Sequence, residues 1–297
     1  MYIHNSLQKK ITISVFLLPT MLGVIVFSLI PLISSVFLSF FEYNVLKPFT
    51  DARFIGLQNY QNLFTHKELF SVLQHTLYYM ILYIPGILIT SILLANLFIQ
   101  YYKGTVFFKF LSYIPVITSW VAVAVIWRWV LNDKYGFLNN FLLILGIDAP
   151  NWITDPTWAM PGVVVASIWK DTGYFALIFL AALKSINKVY YEAANIDGAN
   201  WFKKFTYITL PLISPTILLV LIMNIISGFQ VFDSVYVMTN GGPGDATTVM
   251  VERIYRHAFR YFKMGFSSSY ALVLFVIIFI FTLIQLKLQK RWVNYDA

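Results

Sequence analysis

Long stretches without a charged side chain limit what this chain can fold into. Five of them are about 18 residues or longer, the length that crosses a hydrocarbon core as a helix. A transmembrane barrel would instead show shorter segments of alternating hydrophobicity. The pattern therefore predicts an all-α integral membrane protein. The uncharged stretches are Ile11 to Phe41, Leu69 to Tyr102, Phe110 to Trp127, Phe205 to Phe232 and Met264 to Leu286.

A sixth apolar stretch, Trp158 to Leu183, is interrupted only by Lys170 and Asp171 at its middle. We count it as a span because both flanks stay apolar. The first stretch is too long for the 7 to 15-residue core of a signal peptide, so an uncleaved helix is expected. The prediction is a six-helix domain over residues 11–286 between tails 1–10 and 287–297. The predicted spans are about 13–38, 74–99, 107–131, 158–183, 209–236 and 266–287.

The distribution of charge predicts the orientation. Only 11% of residues are charged, far below the ~25% of soluble domains. The two tails and the segments 100–109 and 184–210 together hold 11 Lys and Arg, against three acidic residues. The opposite loops hold eight of each sign. By the positive-inside rule both termini are cytoplasmic, and this bias accounts for the net charge of +8 without a nucleic-acid partner.

Residues 187–210 interrupt the apolar pattern between the fourth and fifth predicted spans. Asn187 is a suitable N-cap for a first short helix, and Gly198 is expected to end it. A second helix is expected from about Asn200 to Leu210. Small side chains at Ala193 and Gly198 would let another protein approach the backbone closely. On these features alone, a protein-docking knob and an amphipathic hairpin lying in the lipid headgroups are equally good interpretations.

The residue identities and spacing of this segment are more specific than its helix caps and small side chains. Glu192-Ala193-Ala194 is followed by Gly198 and, nine residues later, by Ile208-x-Leu210-Pro211. This spacing resembles the EAA loop of ABC-importer permeases, and the Asp-Gly-Ala form around Gly198 is similar to the carbohydrate branch. The resemblance implies a type I permease fold in which this cytoplasmic loop is a coupling helix received by a groove on an ATPase. The coupling residues it implies are Glu192, Ala193, Ala194, Asp197, Gly198, Ala199, Leu210 and Pro211.

Two further motifs carry the same resemblance. Residues 54–60, FIGLQNY, are similar to the FxGLxNY element after the first helix, and residues 239–243, TNGGP, to the TxGGP element after the fifth. Both are typical of the first permease of maltose, lactose and glycerol-phosphate importers. Asn187 departs from the proline usual before the loop, and no large extra outer domain is present. The resemblance implies a second homologous permease, two ATPase subunits that carry ATP and Mg, an extracytoplasmic binding protein, and an inner-membrane location.

Polar side chains near the predicted bilayer centre suggest a path for a solute. Each ionised residue there costs about 2.5 to 3.5 kcal/mol on insertion scales, so Lys170 and Asp171 should face protein or water. Hydroxyls and amides in membrane helices also serve as contacts between helices. Two polar stripes on neighbouring helices favour the path, which suits an oligosaccharide, a glycosylglycerol or a glycerol phosphate compound. The predicted path residues are Ser167, Lys170, Asp171, Tyr174, Asn224, Ser227, Gly228 and Gln230.

Catalytic motifs are absent from the sequence. It contains no GxxxxGK[ST] phosphate loop, no HExxH and no GxSxG, and it has no cysteine. A non-catalytic subunit without a metal or cofactor of its own is therefore expected. The alternative function is an autonomous secondary transporter with Asp171 or Asp233 as its proton site. A basic cluster at Arg253, Arg256, Arg260 and Lys263 is interpreted as a solvated outer face, with a docking surface as the alternative.

Overall fold

The computed structural model describes residues 6–100 and 104–294, and most of them are helical. One short hairpin, β1 (Phe41–Glu42) with β2 (Arg53–Phe54), is antiparallel. Helical turns of π type occupy Ile25–Leu29, Phe205–Thr209 and Arg256–Arg260, and 3₁₀ turns occupy Phe49–Asp51 and Gln289–Arg291. The α-helices are α1 (Ser6–Val24), α2 (Ile30–Leu38), α3 (Gln58–Thr65), α4 (Lys67–Ile99), α5 (Thr105–Ile117), α6 (Trp120–Val130), α7 (Phe137–Ile144), α8 (Ala159–Ser185), α9 (Lys188–Ile196), α10 (Trp201–Lys204), α11 (Leu210–Leu212), α12 (Ser214–Phe229), α13 (Asp233–Met238), α14 (Met250–Tyr255) and α15 (Met264–Leu288).

Four of the described helical stretches are long and apolar enough to cross a membrane. Two pairs of helices also pass this test when each pair is taken together, although each is bent at a short break. The structure therefore offers four to six spans. The four are Thr12–Leu38, Lys67–Ile99, Ala159–Ser185 and Met264–Arg291, and the bent pairs are α5 with α6 and α10–α11 with α12.

The predicted third span is two helices bent by 103°. Thr118 adopts an extended conformation after α5, and Ser119 caps the start of α6, where its side chain accepts a hydrogen bond from the Ala122 amide at 3.3 Å. Pro115 in the last turn of α5 contributes no N–H to the helix ladder. A proline followed by a serine N-cap is thus the local cause of the break.

The predicted fifth span, 209–236, is also divided. A bend of 68° separates α11 from α12, and α12 ends at Phe229. Val231 and Phe232 follow as non-helical backbone before α13 begins at Asp233. Non-helical backbone at membrane depth is tolerated where it is buried in protein or lines a wet cavity. The end of α12 is therefore a place to look for a functional site.

The chain divides into two compact units. The first comprises residues 6–66 and Ile254–Val273. In it the FIGLQNY motif anchors the β-hairpin, because the buried Asn59 side chain donates to the carbonyls of Ser39 at 2.8 Å and Phe41 at 3.0 Å. The Tyr60 hydroxyl donates to Ser39 Oγ at 2.7 Å. Gly56 has a φ of +57°, which explains the glycine in the motif.

The second unit comprises Lys67–Arg253 and residues 274–294. Its centre is the packing of α4 against α8, which buries Ala95, Ala176 and Phe179 almost completely. Helix α8 also approaches α5 closely, since a Cβ added to Gly173 would lie 2.0 Å from the Ser112 carbonyl oxygen. Small residues permit such contacts between membrane helices, and α8 packs against both α4 and α5 in this unit.

Candidate functional site

The 187–210 segment folds locally as its sequence predicts. Asn187 caps α9, since its side-chain oxygen accepts from the Val189 amide at 3.1 Å. The helix ends at Ile196, and Gly198 follows with a φ of +72°. A residue with a Cβ would be strained in this left-handed conformation, and glycine is not. Both expectations, the asparagine N-cap and the glycine stop, are confirmed.

The second half of the segment is tied to the first. Asn200 caps α10 by accepting from the Lys203 amide at 2.9 Å. The Lys204 ammonium donates to the Asn195 side chain, and the hydroxyls of Tyr191 and Thr209 lie 2.9 Å apart. These side-chain contacts hold the two short helical pieces as one hairpin. The expected helix from Asn200 to Leu210 is present as α10, a π turn and α11.

The residues of the EAA pattern are distributed unequally over this hairpin. Four are exposed, namely Glu192, Ala193, Asp197 and Gly198, while Ala194, Ala199, Leu210 and Pro211 are partly buried. Next to the exposed set, Ile196 is 87% exposed. Val189 and Trp201 of the same hairpin are also more than half exposed, and a group of large exposed apolar side chains is typical of a protein-contact surface. The hairpin thus presents a shallow surface that another protein could cover.

A cavity of about 200 Å³ lies in the second unit where α12 ends. Its walls come from α4, α6, α8 and the segment that runs from the end of α12 to the start of α13, which are four segments distant in sequence. The lining combines aromatic rings, carboxylates, an amide and hydroxyls. The lining residues are Tyr79, Tyr83, Trp120, Asp171, Ser227, Gln230, Val231, Phe232, Asp233 and Ser234.

Two polar groups of the cavity lining differ in their hydrogen bonding. The Tyr83 hydroxyl donates to Asp171 Oδ2 at 2.8 Å, which fixes this carboxylate between α4 and α8. The Ser234 hydroxyl is buried, and no group in the described part of the chain bonds to it. A buried hydroxyl usually has a partner, so an unpaired one lining a cavity suggests that water or a solute binds there.

Three predicted path residues, Asp171, Ser227 and Gln230, line the cavity. The Ser167 hydroxyl donates to the Val163 carbonyl of its own helix at 2.9 Å. Tyr174 lies one turn beyond Asp171 and is partly exposed, and Gly228 packs against Met80. The Asn224 amide nitrogen donates to the Val220 carbonyl at 2.7 Å, and its residue is fully buried. None of these four is among the residues that line this cavity.

Lys170 also lies outside the cavity lining. It is only 6% exposed, and its ammonium group donates to the Val116 carbonyl at 3.2 Å and lies 5.2 Å from the Trp120 ring centroid. Val116 belongs to the last turn of α5, whose carbonyls lack partners within the helix. Lys170 therefore stabilises the break between α5 and α6, and Trp120, whose ring it contacts, itself lines the cavity.

Sequence reasoning missed the contribution of α4 and α6. Tyr79 and Tyr83 are four residues apart and stack with ring centroids 5.3 Å apart, so they share one face of α4. In the sequence, the feature that could have indicated this wall is a pair of tyrosines at this spacing inside an uncharged run. Trp120 gave no such signal, because it reaches the cavity only through the bend that precedes α6.

The TNGGP loop is an internally bonded structure. The Thr239 and Thr247 hydroxyls lie 2.7 Å apart, and Thr248 Oγ1 donates to the Gly241 carbonyl at 3.1 Å.

The interpretation of the basic cluster as a solvated face is wrong for Arg253, which is 7% exposed. Arg253 forms ion pairs with Glu68 at 3.2 Å and with Asp245 of this loop at 3.5 Å.

Comparison with known proteins places this architecture in a family. The model of the binding-protein-dependent transport system inner membrane component matches residues 64–294. The probable ABC transporter permease protein YesP of Bacillus subtilis (strain 168) is 37% identical over 95% of this chain and 91% of its own length. The arabinooligosaccharides transport system permease protein AraP of the same organism is 34% identical over 95% of this chain and 90% of its own.

A solved structure shares the fold as well. It is a bacterial ABC transporter involved in the import of the acidic polysaccharide alginate. The two chains superpose with a TM-score of 0.82 at 26% identity, covering 98% of this chain and 100% of the other. The prediction that this chain is an ABC-importer permease is confirmed: it belongs to the family of binding-protein-dependent transport system inner membrane components.

Proposed function

We propose that this chain is one of two homologous permease subunits of an ATP-driven importer and forms half of the translocation path for a sugar or sugar-like solute. The cavity at the end of α12 carries this proposal. It offers an amide, hydroxyls and carboxylates for sugar hydroxyls, and tyrosine and tryptophan faces for the C–H side of a sugar ring. The relatives named above, one of them an arabinooligosaccharide permease, support a saccharide.

Coupling to ATP hydrolysis is assigned to the 187–210 segment. Its capped, internally tied hairpin exposes Glu192, Ala193, Asp197 and Gly198. A partner ATPase would supply ATP and Mg, and its groove would receive this hairpin. We assign six spans, with α5–α6 as the third and α10–α12 as the fifth, which places both tails and the hairpin on the cytoplasmic side. An extracytoplasmic binding protein would deliver the solute to the opposite face.

The assembly can be tested directly. Purification through a tag on this chain should retrieve a second permease and an ATPase, and the reconstituted complex should take up saccharide only with ATP inside and binding protein outside. Uptake by the purified chain alone that a protonophore abolishes would instead establish a secondary transporter, with Asp171 or Asp233 carrying the proton.

Within the path, Gln230→Leu is expected to lower the uptake rate per assembled complex by about fivefold, because leucine cannot replace a hydrogen bond worth about 1 kcal/mol to a solute hydroxyl. Gln230 lines the cavity and is exposed there, so assembly and thermal stability should stay near those of the parent. Uptake and thermal stability are measured on the same preparations.

Asn224→Leu provides the matched control, since it also replaces an amide with leucine, at a fully buried position of α12 outside the cavity lining. It should change the stability of the complex while uptake per surviving complex remains close to normal. The assignment of Gln230 to the path fails if its variant loses stability and retains uptake.

A further inference from the structure

The charges around the cavity restrict which saccharide can occupy it. Two carboxylates, Asp171 and Asp233, belong to the lining, and no lysine, arginine or histidine does among the residues described. A bound carboxylate or phosphate normally requires charge-assisted donors such as arginine or lysine. The cavity wall supplied by this chain offers none.

Lys170 offsets only one of the two carboxylates. Lys170 precedes Asp171 in the sequence, lies outside the cavity lining, and donates its ammonium hydrogen bond to the Val116 carbonyl. Asp171 is further satisfied by the Tyr83 hydroxyl. Asp233 is exposed at the first position of α13 and makes no ion pair within the described parts of the chain. One negative charge of the lining therefore remains unbalanced.

Uncharged hydroxyl groups fit the same set of atoms well. A sugar hydroxyl can donate to the carboxylates of Asp171 and Asp233 and accept from the Gln230 amide or from a serine hydroxyl. Ser227 is exposed and lies in the same lining, so its hydroxyl offers such a contact. An anionic sugar would instead meet Asp233 at short range, where repulsion is only weakly screened.

We infer that the solute of this path is an uncharged saccharide and that Asp233 discriminates against uronates and sugar phosphates. This inference rests on the proposed function and narrows its substrate class. It removes glycerol phosphate compounds from the candidates left open by the sequence.

The test measures saccharide binding to the whole complex in nanodiscs without the binding protein, by saturation-transfer NMR. The probes are methyl glycosides of gluco, galacto and manno configuration, each paired with the uronate that differs from it only at C6. The neutral member of at least one pair is expected to bind about tenfold more tightly than its uronate, equivalent to ~1.4 kcal/mol. Gln230→Leu should weaken that binding, which assigns the signal to this cavity.

Asp233→Asn should narrow the preference severalfold, and Asp233→Lys should reverse it. Asp148→Asn is the matched control, because Asp148 lies on an exposed loop outside the lining and its substitution changes the formal charge equally. Equal or tighter binding of the uronates, or a preference unaffected by Asp233→Asn, overturns the inference while leaving saccharide transport intact. Binding of neither member in any pair contradicts the proposed sugar path itself.

Discussion

Replacing Gly198 with tryptophan is expected to reduce ATPase activity stimulated by binding protein at least about thirtyfold, the effect of losing ~2 kcal/mol at a central contact. Gly198 is exposed, and no atom lies within 4 Å of a Cβ built on it. The indole would therefore extend into the space that the partner ATPase is proposed to fill. Glu192→Lys, which reverses an exposed charge on the same hairpin, should have an effect of the same kind.

Matched controls separate coupling from folding. Gly198 has a φ of +72°, which tryptophan adopts at a cost of about 1 to 2 kcal/mol but asparagine tolerates better. Gly198→Asn and Glu192→Gln should retain most of the stimulated activity. Co-purification of the ATPase with each variant reports the contact itself. Normal uptake by both Gly198→Trp and Glu192→Lys would remove the coupling assignment.

The all-α fold class of the chain and the local structure of the 187–210 segment could be predicted from the sequence, because nearby residues determine both. Uncharged runs of spanning length determine the membrane helices, and an N-cap at Asn187 with a left-handed Gly198 determines α9. Hydropathy could not predict that the third and fifth spans are each broken into separate helices. Apolar composition does not distinguish one straight helix from the bent pair α5 and α6.

Only part of the cavity lining could be predicted from the sequence. Asp171, Ser227 and Gln230 were identified because a polar group at membrane depth is costly and so demands a reason. Tyr79 and Trp120 were missed, because aromatic residues are common in any membrane helix and only the packing of α4, α6 and α8 turns these rings to a shared space. Lys170 was selected by the same reasoning, but its ammonium group lies outside the cavity lining and donates to a backbone carbonyl at a helix end.

Lys170→Met is accordingly expected to destabilise the complex by about 1.5 to 3 kcal/mol, the range for a hydrogen bond that involves a charged group. The Val116 carbonyl would lose its described partner in a partly buried position, and the Trp120 ring would lose the cation beside it. Thermal unfolding of the detergent-solubilised complex measures the change. Lys170→Arg, which keeps the charge and a donor, should retain more stability than Lys170→Met.

A double variant distinguishes this helix-end role from simple neutralisation of Asp171. If Lys170 served chiefly to balance the adjacent carboxylate, then adding Asp171→Asn to Lys170→Met should restore stability. Because Lys170 and Asp171 have separate partners, on α5 and α4 respectively, the double variant should instead remain less stable than Asp171→Asn alone. Restoration of the double variant to the stability of Asp171→Asn alone would contradict the helix-end assignment and make the two side chains a compensating pair.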